Sequence, residues 1–434
     1  MTDYRELARH LNSLGVTRAY MKALSNNDNS KNQIYLGPSF EALQLLPFGE
    51  ILQGSAGANP NLKASVNFFW LSESGRLERA IYAQLILYPQ YPEVRLSGFL
   101  KGCVAAPSEY LRPIAREQRT DKDGRFLILG VTPDDRIIGY LAAPGRQVAR
   151  SIEAEFEQLC GKKLFVDFPL GNQSAFSRKL MLIAKLTQIV HAGWHPSQRL
   201  DAEGRMLNYE APNAGGYTLE SLFGIIPNGI SEPDYLGWEL KAFGGNRITL
   251  MTPEPDAGYY GENGAAAFVR KYGHDAGNDT IYFTGIHRAN SRNDLTGLTL
   301  STIDYDVVHD KFTGINGGLA LFTDSGEPVA IWTFKRLIAH WARKHALAAY
   351  VKYEKSEIQS RLNIRYLAPA HLGEGTDFSK FMAAFIQGTI YYDPAPKLSK
   401  ASTPHSRVKA RSQFRINSTS LGVLYHSFTD EQLQ

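Results

Sequence analysis

The sequence predicts a two-domain α+β/α/β protein: a β-rich first third, then a larger region in which strands alternate with helices. Three observations carry this reading. The chain has 434 residues, 43% of them apolar, which is more core than one small domain needs. From about residue 18 to 145, short β-rich runs follow one another between Asn, Gly, Pro and Asp. Beyond about residue 175, helical periodicity interleaves with strand-like runs. The domains are expected at 1–165 and 166–434.

Residues 1–14 read as an amphipathic helix, with Tyr4, Leu7, Leu11 and Leu14 at helical spacing and Gly15 as its stop. RAYMKAL (18–24), ASVNFFWL (64–71), RAIYAQLILY (79–88), RFLILGV (125–131) and RIIGYLAA (136–143) read as strands of a small barrel or sandwich. A helix over 145–159 closes this domain, and one over 175–194 opens the next. GYTLESLFGI (216–225) fits a short helix entered through a Gly-Gly pair. YLGWELKAF (235–243) and RITLMTP (247–253) read as adjacent strands joined by a GGN hairpin turn. PVAIWTF (328–334) is a strand followed by a long helix over 335–352, and DFSKFMAAFIQG (377–388) is another helix.

Composition excludes several classes. The net charge of +4 is mild, so the position of the basic residues matters more than their sum. Cys103 and Cys160 are far apart, without metal-ligand spacing, as in proteins of a reducing cytoplasm. No apolar run reaches the roughly 18 residues of a membrane helix. His287, His309, His340, His345 and His371 are scattered, without zinc spacing. No serine–histidine–aspartate order or phosphate-binding glycine loop stands out.

The stretch EPDYLGWELK (232–241) is different. In a strand, Glu239 and Lys241 face the same way while Leu240 faces the core. Asp234 lies in a turn that can bring it beside Glu239. Two carboxylates so placed can hold Mg²⁺, a hard ion that takes oxygen ligands and keeps several waters. A neighbouring ammonium can position a water for attack on phosphorus.

With Glu220 on the preceding helix, PD…ELK resembles the PD-(D/E)XK nuclease superfamily, and more closely the MvaI/BcnI restriction endonuclease family. The resemblance rests on GGYTLESLFGIIPNGISEPDYLGWELKAF (215–243), RITLMTPEP (247–255), GTIYYDP (388–394) and KARSQFRI (409–416), within roughly 175–434. It implies a mixed central sheet flanked by helices and a catalytic set of Glu220, Asp234, Glu239 and Lys241. Asp234 and Glu239 would bind Mg²⁺, Lys241 would position the water, and Glu220 would assist. It also implies cleavage of double-stranded DNA at short GC-rich pseudopalindromes by a monomer.

DNA contact needs unpaired cations. Lys397 to Arg415 carries six basic residues, and no acid occurs before Asp430. His405, Arg407, Lys409 and Arg411 are candidate contacts there, and the alternation of RVKARSQFRI reads as one strand with a charged face. The first domain, over about 15–160, resembles the B3-like pseudobarrel of EcoRII-type effector domains. By that resemblance two arms, 25–32 and 88–97, grip the major groove, making Lys22, Asn26, Asn27, Lys31, Gln90, Glu93 and Arg95 candidates. The expectation is therefore a Mg²⁺-dependent type II restriction endonuclease of the cytoplasm. A modification-dependent or repair endonuclease, and a catalytically silent DNA-binding regulator, stand as rivals.

Overall fold

Local signals set the first element. Asp3 caps the helix Tyr4–Ser13 by accepting the Glu6 N–H at 2.7 Å, and Gly15 leaves it at φ +86°. In this computed structural model the described residues are 1–24, 33–55, 60–91, 93–111, 124–160, 164–171, 175–227 and 233–434. The chain divides into two compact units, Met1–Met181 and Leu182–Gln434. The division falls inside the helix Ala175–His191.

In the first unit, Arg18–Leu24 pairs antiparallel with Arg125–Val131, which pairs antiparallel with Arg136–Ala142. Arg136–Ala142 in turn runs parallel to Asn67–Leu71, within a six-stranded sheet. A second sheet orders Ile34–Gly37, Glu93–Ser97, Gln84–Tyr88, Leu62–Ser65 and Ile51–Gln53. Leu7, Leu11 and Ile152 pack against Met21, Ile128, Ile138 and Tyr140 in the core. The run RAIYAQLILY becomes a strand only at Gln84, because Ile81 and Tyr82 lie in an exposed turn.

In the second unit a mixed sheet positions the carboxylates. Its order is Trp194–Pro196, Arg361–Glu374, Leu347–Ile358, Glu239–Phe243, with Ser427–Glu431 also paired to Arg361–Glu374. Glu239–Phe243 runs parallel to Leu347–Ile358, with Glu239 opposite Ala348. On one face, Leu182, Leu186, Ile189, Ala214 and Leu219 of two helices bury Leu240, Val351 and Ile364. Gly215 is needed there: a Cβ on it would meet the Tyr353 ring at 2.3 Å.

Three expectations are corrected. The helix assigned to 335–352 ends at Lys344, and Leu347–Ile358 is an inner strand. An apolar run buried on both faces has no alternation to distinguish it from a buried helix. Arg247–Met251 does not form a hairpin with Glu239–Phe243 but pairs with Phe414–Asn417 in another sheet. RVKARSQFRI is likewise not one strand. Arg407–Lys409 pairs with Lys397–Ser399, whereas Phe414–Asn417 pairs with Arg247–Met251 and Tyr391–Tyr392. Buried Phe414 and Ile416 pull the second half into a different core from the exposed first half.

Candidate active site

A two-residue hairpin turns the chain back just before the strand that carries Glu239. Tyr235 and Trp238 exchange backbone hydrogen bonds of 2.9 and 2.8 Å, and Leu236 and Gly237 between them have φ of 50° and 90°. Two positive φ values give the twist that suits a tight hairpin. Trp238 anchors it in the core, and Tyr235 meets Phe223, just beyond the helix Ala214–Leu222, edge-on at 4.8 Å. Asp234 is thereby folded back, and its Oδ2 accepts the Leu240 N–H at 2.7 Å.

Glu239 and Lys241 lie on one face of the strand, with Lys241 Nζ donating to Glu239 Oε1 at 3.1 Å. Leu240 is buried on the opposite face, in the sheet–helix core. Glu239 is only 5% exposed, and its Oε2 has no hydrogen-bond partner among the described residues. Burial, then the charges of Asp234 and Glu239, push the Glu220 carboxyl up to about 7. Burial and Glu239 push Asp234 up to about 6, although the Leu240 N–H and the lysines pull it down. Burial disfavours the Lys241 ammonium, but Glu239, Tyr350 and Asp234 prevail and hold its pKa above the ordinary lysine value.

The donor set fits a hard divalent cation. All three acids offer oxygen, and the unpartnered Glu239 Oε2 is a buried acceptor that a cation would satisfy. Among the described residues, no three His, Cys, Asp or Glu side chains gather into a ready-made ligand cluster. The fit is therefore to an ion held by two carboxylates and completed by water, which Mg²⁺ tolerates.

A cleft of about 860 Å³ opens beside Lys241. Gly244, Gly245, Arg247, Lys352 and Lys355 line it. The one acid that lines it among the described residues, Glu354, is paired with Arg365 at 2.6 Å. The cleft is thus net positive next to the acids.

The sequence reading missed Lys344. Its Nζ lies 3.6 Å from Glu239 Oε1, at the last turn of the helix Phe334–Lys344. No local motif marks it; only the parallel pairing of Glu239 with Ala348 brings that helix end to the site.

The other candidates separate into groups. His405, Arg407, Lys409 and Arg411 are exposed, and none has an acidic partner among the described residues. Lys397 stands directly opposite Lys409, a like-charged pair that costs stability unless an anion covers it. In the first unit, Lys22 is buried rather than presented to solvent. Its ammonium lies over the Tyr35 and Phe165 rings, and burial pulls it down to about 8. Arg95 is already engaged by Glu93 at 2.9 Å and Gln33 at 3.3 Å, and Gln90 lies in a turn. Asn26, Asn27 and Lys31 lie outside the described residues.

Comparison with known proteins decides the family. The profile of the MvaI/BcnI restriction endonuclease family matches residues 183–425. The chain belongs to the MvaI/BcnI restriction endonuclease family. It is accordingly a type II restriction endonuclease, and the matched region contains Glu220, Asp234, Glu239, Lys241 and Lys344. Among solved structures, the chain is similar to restriction endonuclease MvaI in complex with its cognate DNA substrate. The identity is 17% and the TM-score 0.45, over 60% of this chain and 99% of that one. MvaI in the absence of DNA gives 14% identity and a TM-score of 0.34, with the same coverage. No curated protein matches. Among the described residues, no helix is long and apolar enough to cross a membrane.

Proposed function

We propose that the Leu182–Gln434 unit hydrolyses phosphodiester bonds of double-stranded DNA at a short GC-rich pseudopalindrome, with Mg²⁺ as cofactor. Asp234 and Glu239 would hold the ion. When bound, it supplies Lewis-acid stabilisation of the charge developing on the phosphate oxygens. The Lys241 ammonium donates hydrogen bonds to the attacking water and orients it toward phosphorus. Glu220, whose carboxyl is pushed up by burial and by the neighbouring acids, would assist through the water shell of the ion or by orienting its neighbours. The basic cleft takes the phosphate backbone, so the strand to be cut runs past Lys241. His405, Arg407, Lys409 and Arg411 add contacts from the exposed hairpin. Arginine there has the fork geometry that reads guanine in the major groove.

The observation that carries this reading is the convergence of Glu220, Asp234, Glu239 and Lys241 within the family-matched region. The Met1–Met181 unit is proposed to be a B3-like DNA-binding domain that holds the enzyme on DNA. Its contacts would come from the two arms, 25–32 and 88–97, of which the first lies outside the described residues.

The test is incubation of methylated and unmethylated plasmid with Mg²⁺ or EDTA, followed by sequencing of the ends. Cuts at one short sequence, in Mg²⁺ only, support the proposal. No cutting in Mg²⁺, or cutting of modified DNA alone, rejects it in favour of a regulator or a modification-dependent nuclease.

A further inference from the structure

Lys344 is tied to its place from three sides. The helix Phe334–Lys344 ends on it, and His345 next to it is fully buried, stacked on Trp341 at 4.1 Å. His345 Nε2 also meets the Leu250 carbonyl at 3.1 Å. Two residues later the chain enters the strand that pairs with Glu239–Phe243. The ammonium of an ordinary surface lysine is free to swing; this one sits over the edge of a buried carboxylate.

Its surroundings give it work. Its charge acts on Glu220 and Asp234 as well as on Glu239, so it faces the whole acidic group. Glu239 pairs with both ammoniums, those of Lys241 and Lys344, and both charges also act on Glu220 and Asp234. Both ammoniums approach the same oxygen, Glu239 Oε1, at 3.1 and 3.6 Å, while Oε2 has no hydrogen-bond partner among the described residues. One cation on Oε1 leaves the carboxylate free to rotate about its last bond; two, approaching from different elements, fix it. Lys344 is also 37% exposed, so unlike Lys241 it can release Glu239 toward solvent or phosphate without unfolding anything.

Building on the nuclease reading above, we propose that Lys344 is a positioning residue of this site. It pairs with Glu239 Oε1 in the free protein, where a divalent cation would otherwise be bound, and would turn toward substrate phosphate once that carboxylate is engaged by the cation. Its ammonium therefore competes with the cation in the free protein and aids cleavage in the complex.

The experiment compares Lys344→Gln and Lys344→Arg with the wild-type full chain. Single-turnover cleavage is measured at saturating plasmid DNA, together with calorimetric Mn²⁺ binding to the DNA-free protein. Lys344→Gln is expected to cleave at least about tenfold more slowly. It is also expected to bind Mn²⁺ several-fold more tightly, and Lys344→Arg is expected to restore both quantities toward wild type. Wild-type cleavage by Lys344→Gln overturns the proposal. So does slow cleavage with unchanged Mn²⁺ affinity, or without rescue by Arg, since a merely structural lysine behaves that way. Lys241→Met, measured alongside, separates the two claims. If it too cleaves normally, the nuclease reading of the site fails; if it alone is inactive, only the role of Lys344 fails.

Discussion

Asp234 Oδ2 accepts the backbone N–H of Leu240 at 2.7 Å across the Leu236–Gly237 turn. That bond ties the first acid to the strand that carries the second acid and the lysine. It also satisfies the edge-strand amide between them. The geometry of the proposed catalytic set thus depends on a tight turn as much as on the charged residues themselves.

Gly237→Val tests the turn. At φ 90° a β-branched residue is strained, by roughly 1–2 kcal/mol for the left-handed conformation alone. Relief of that strain opens the hairpin and withdraws Asp234. Cleavage is expected to fall by at least about tenfold with little loss of DNA binding, measured by gel shift in Ca²⁺. Unchanged cleavage would mean that the turn does not position Asp234.

The raised carboxyls give a pH dependence with a definite sign. Glu220 at about 7 and Asp234 at about 6 both titrate above their ordinary values of 4.5 and 3.8. The folded chain therefore binds these protons more tightly than the unfolded one. The resulting stability is complete below about pH 4 and is lost as pH rises to about 7. The Tm of the metal-free protein should fall across that window, and Glu220→Gln should flatten the fall. Mg²⁺ at neutral pH should raise Tm, because it binds the ionised site. Cleavage should increase through the same window as the carboxylates ionise. A Tm that rises from pH 5 to 7 in the wild type but not in Glu220→Gln would contradict these assignments.

Legibility in the sequence followed sequence distance. Asp234, Glu239 and Lys241 were readable because one turn and one strand place them, and alternation alone puts Leu240 in the core. The short helix with Glu220 was readable from its period, although it begins at Ala214, ahead of the Gly215–Gly216 pair, and ends at Leu222. What was not readable depends on partners far along the chain. GGN signals a turn, but Phe414–Asn417 captures Arg247–Met251, so no hairpin forms. The run 347–352 looks helical until its place between two strands is known. Lys344 reaches Glu239 only through that strand's parallel pairing, which no local spacing encodes.

The cleft gives a salt-dependence prediction. Lys352→Gln with Lys355→Gln should weaken DNA binding and lower the slope of log K against log salt by about one per lysine that contacts phosphate. The single-turnover cleavage rate at saturating DNA should change little, because neither residue adjoins the acids. An unchanged slope would remove the cleft from the DNA path. Arg407→Ala should instead relax the choice of cut sites, read by sequencing the ends, if it reads a base at a cost of about 1–3 kcal/mol.

Packing at the helix gives a stability prediction. Gly215→Ala drives a methyl into the Tyr353 ring and should cost about 1–3 kcal/mol by urea denaturation. It also pushes Glu220 off the sheet, so cleavage should fall beyond the loss of folded protein. Neutral behaviour would show that the helix does not rest on Tyr353 as described.

The central claim is that Asp234, Glu239 and Lys241 act together on a phosphodiester. The most direct measurement is cleavage and DNA binding by Asp234→Asn and Lys241→Met in parallel with the wild type. Each variant should lose cleavage by on the order of a hundredfold or more while binding DNA within a few-fold of wild type in Ca²⁺. A variant of either kind that still cuts at close to the wild-type rate would contradict the account.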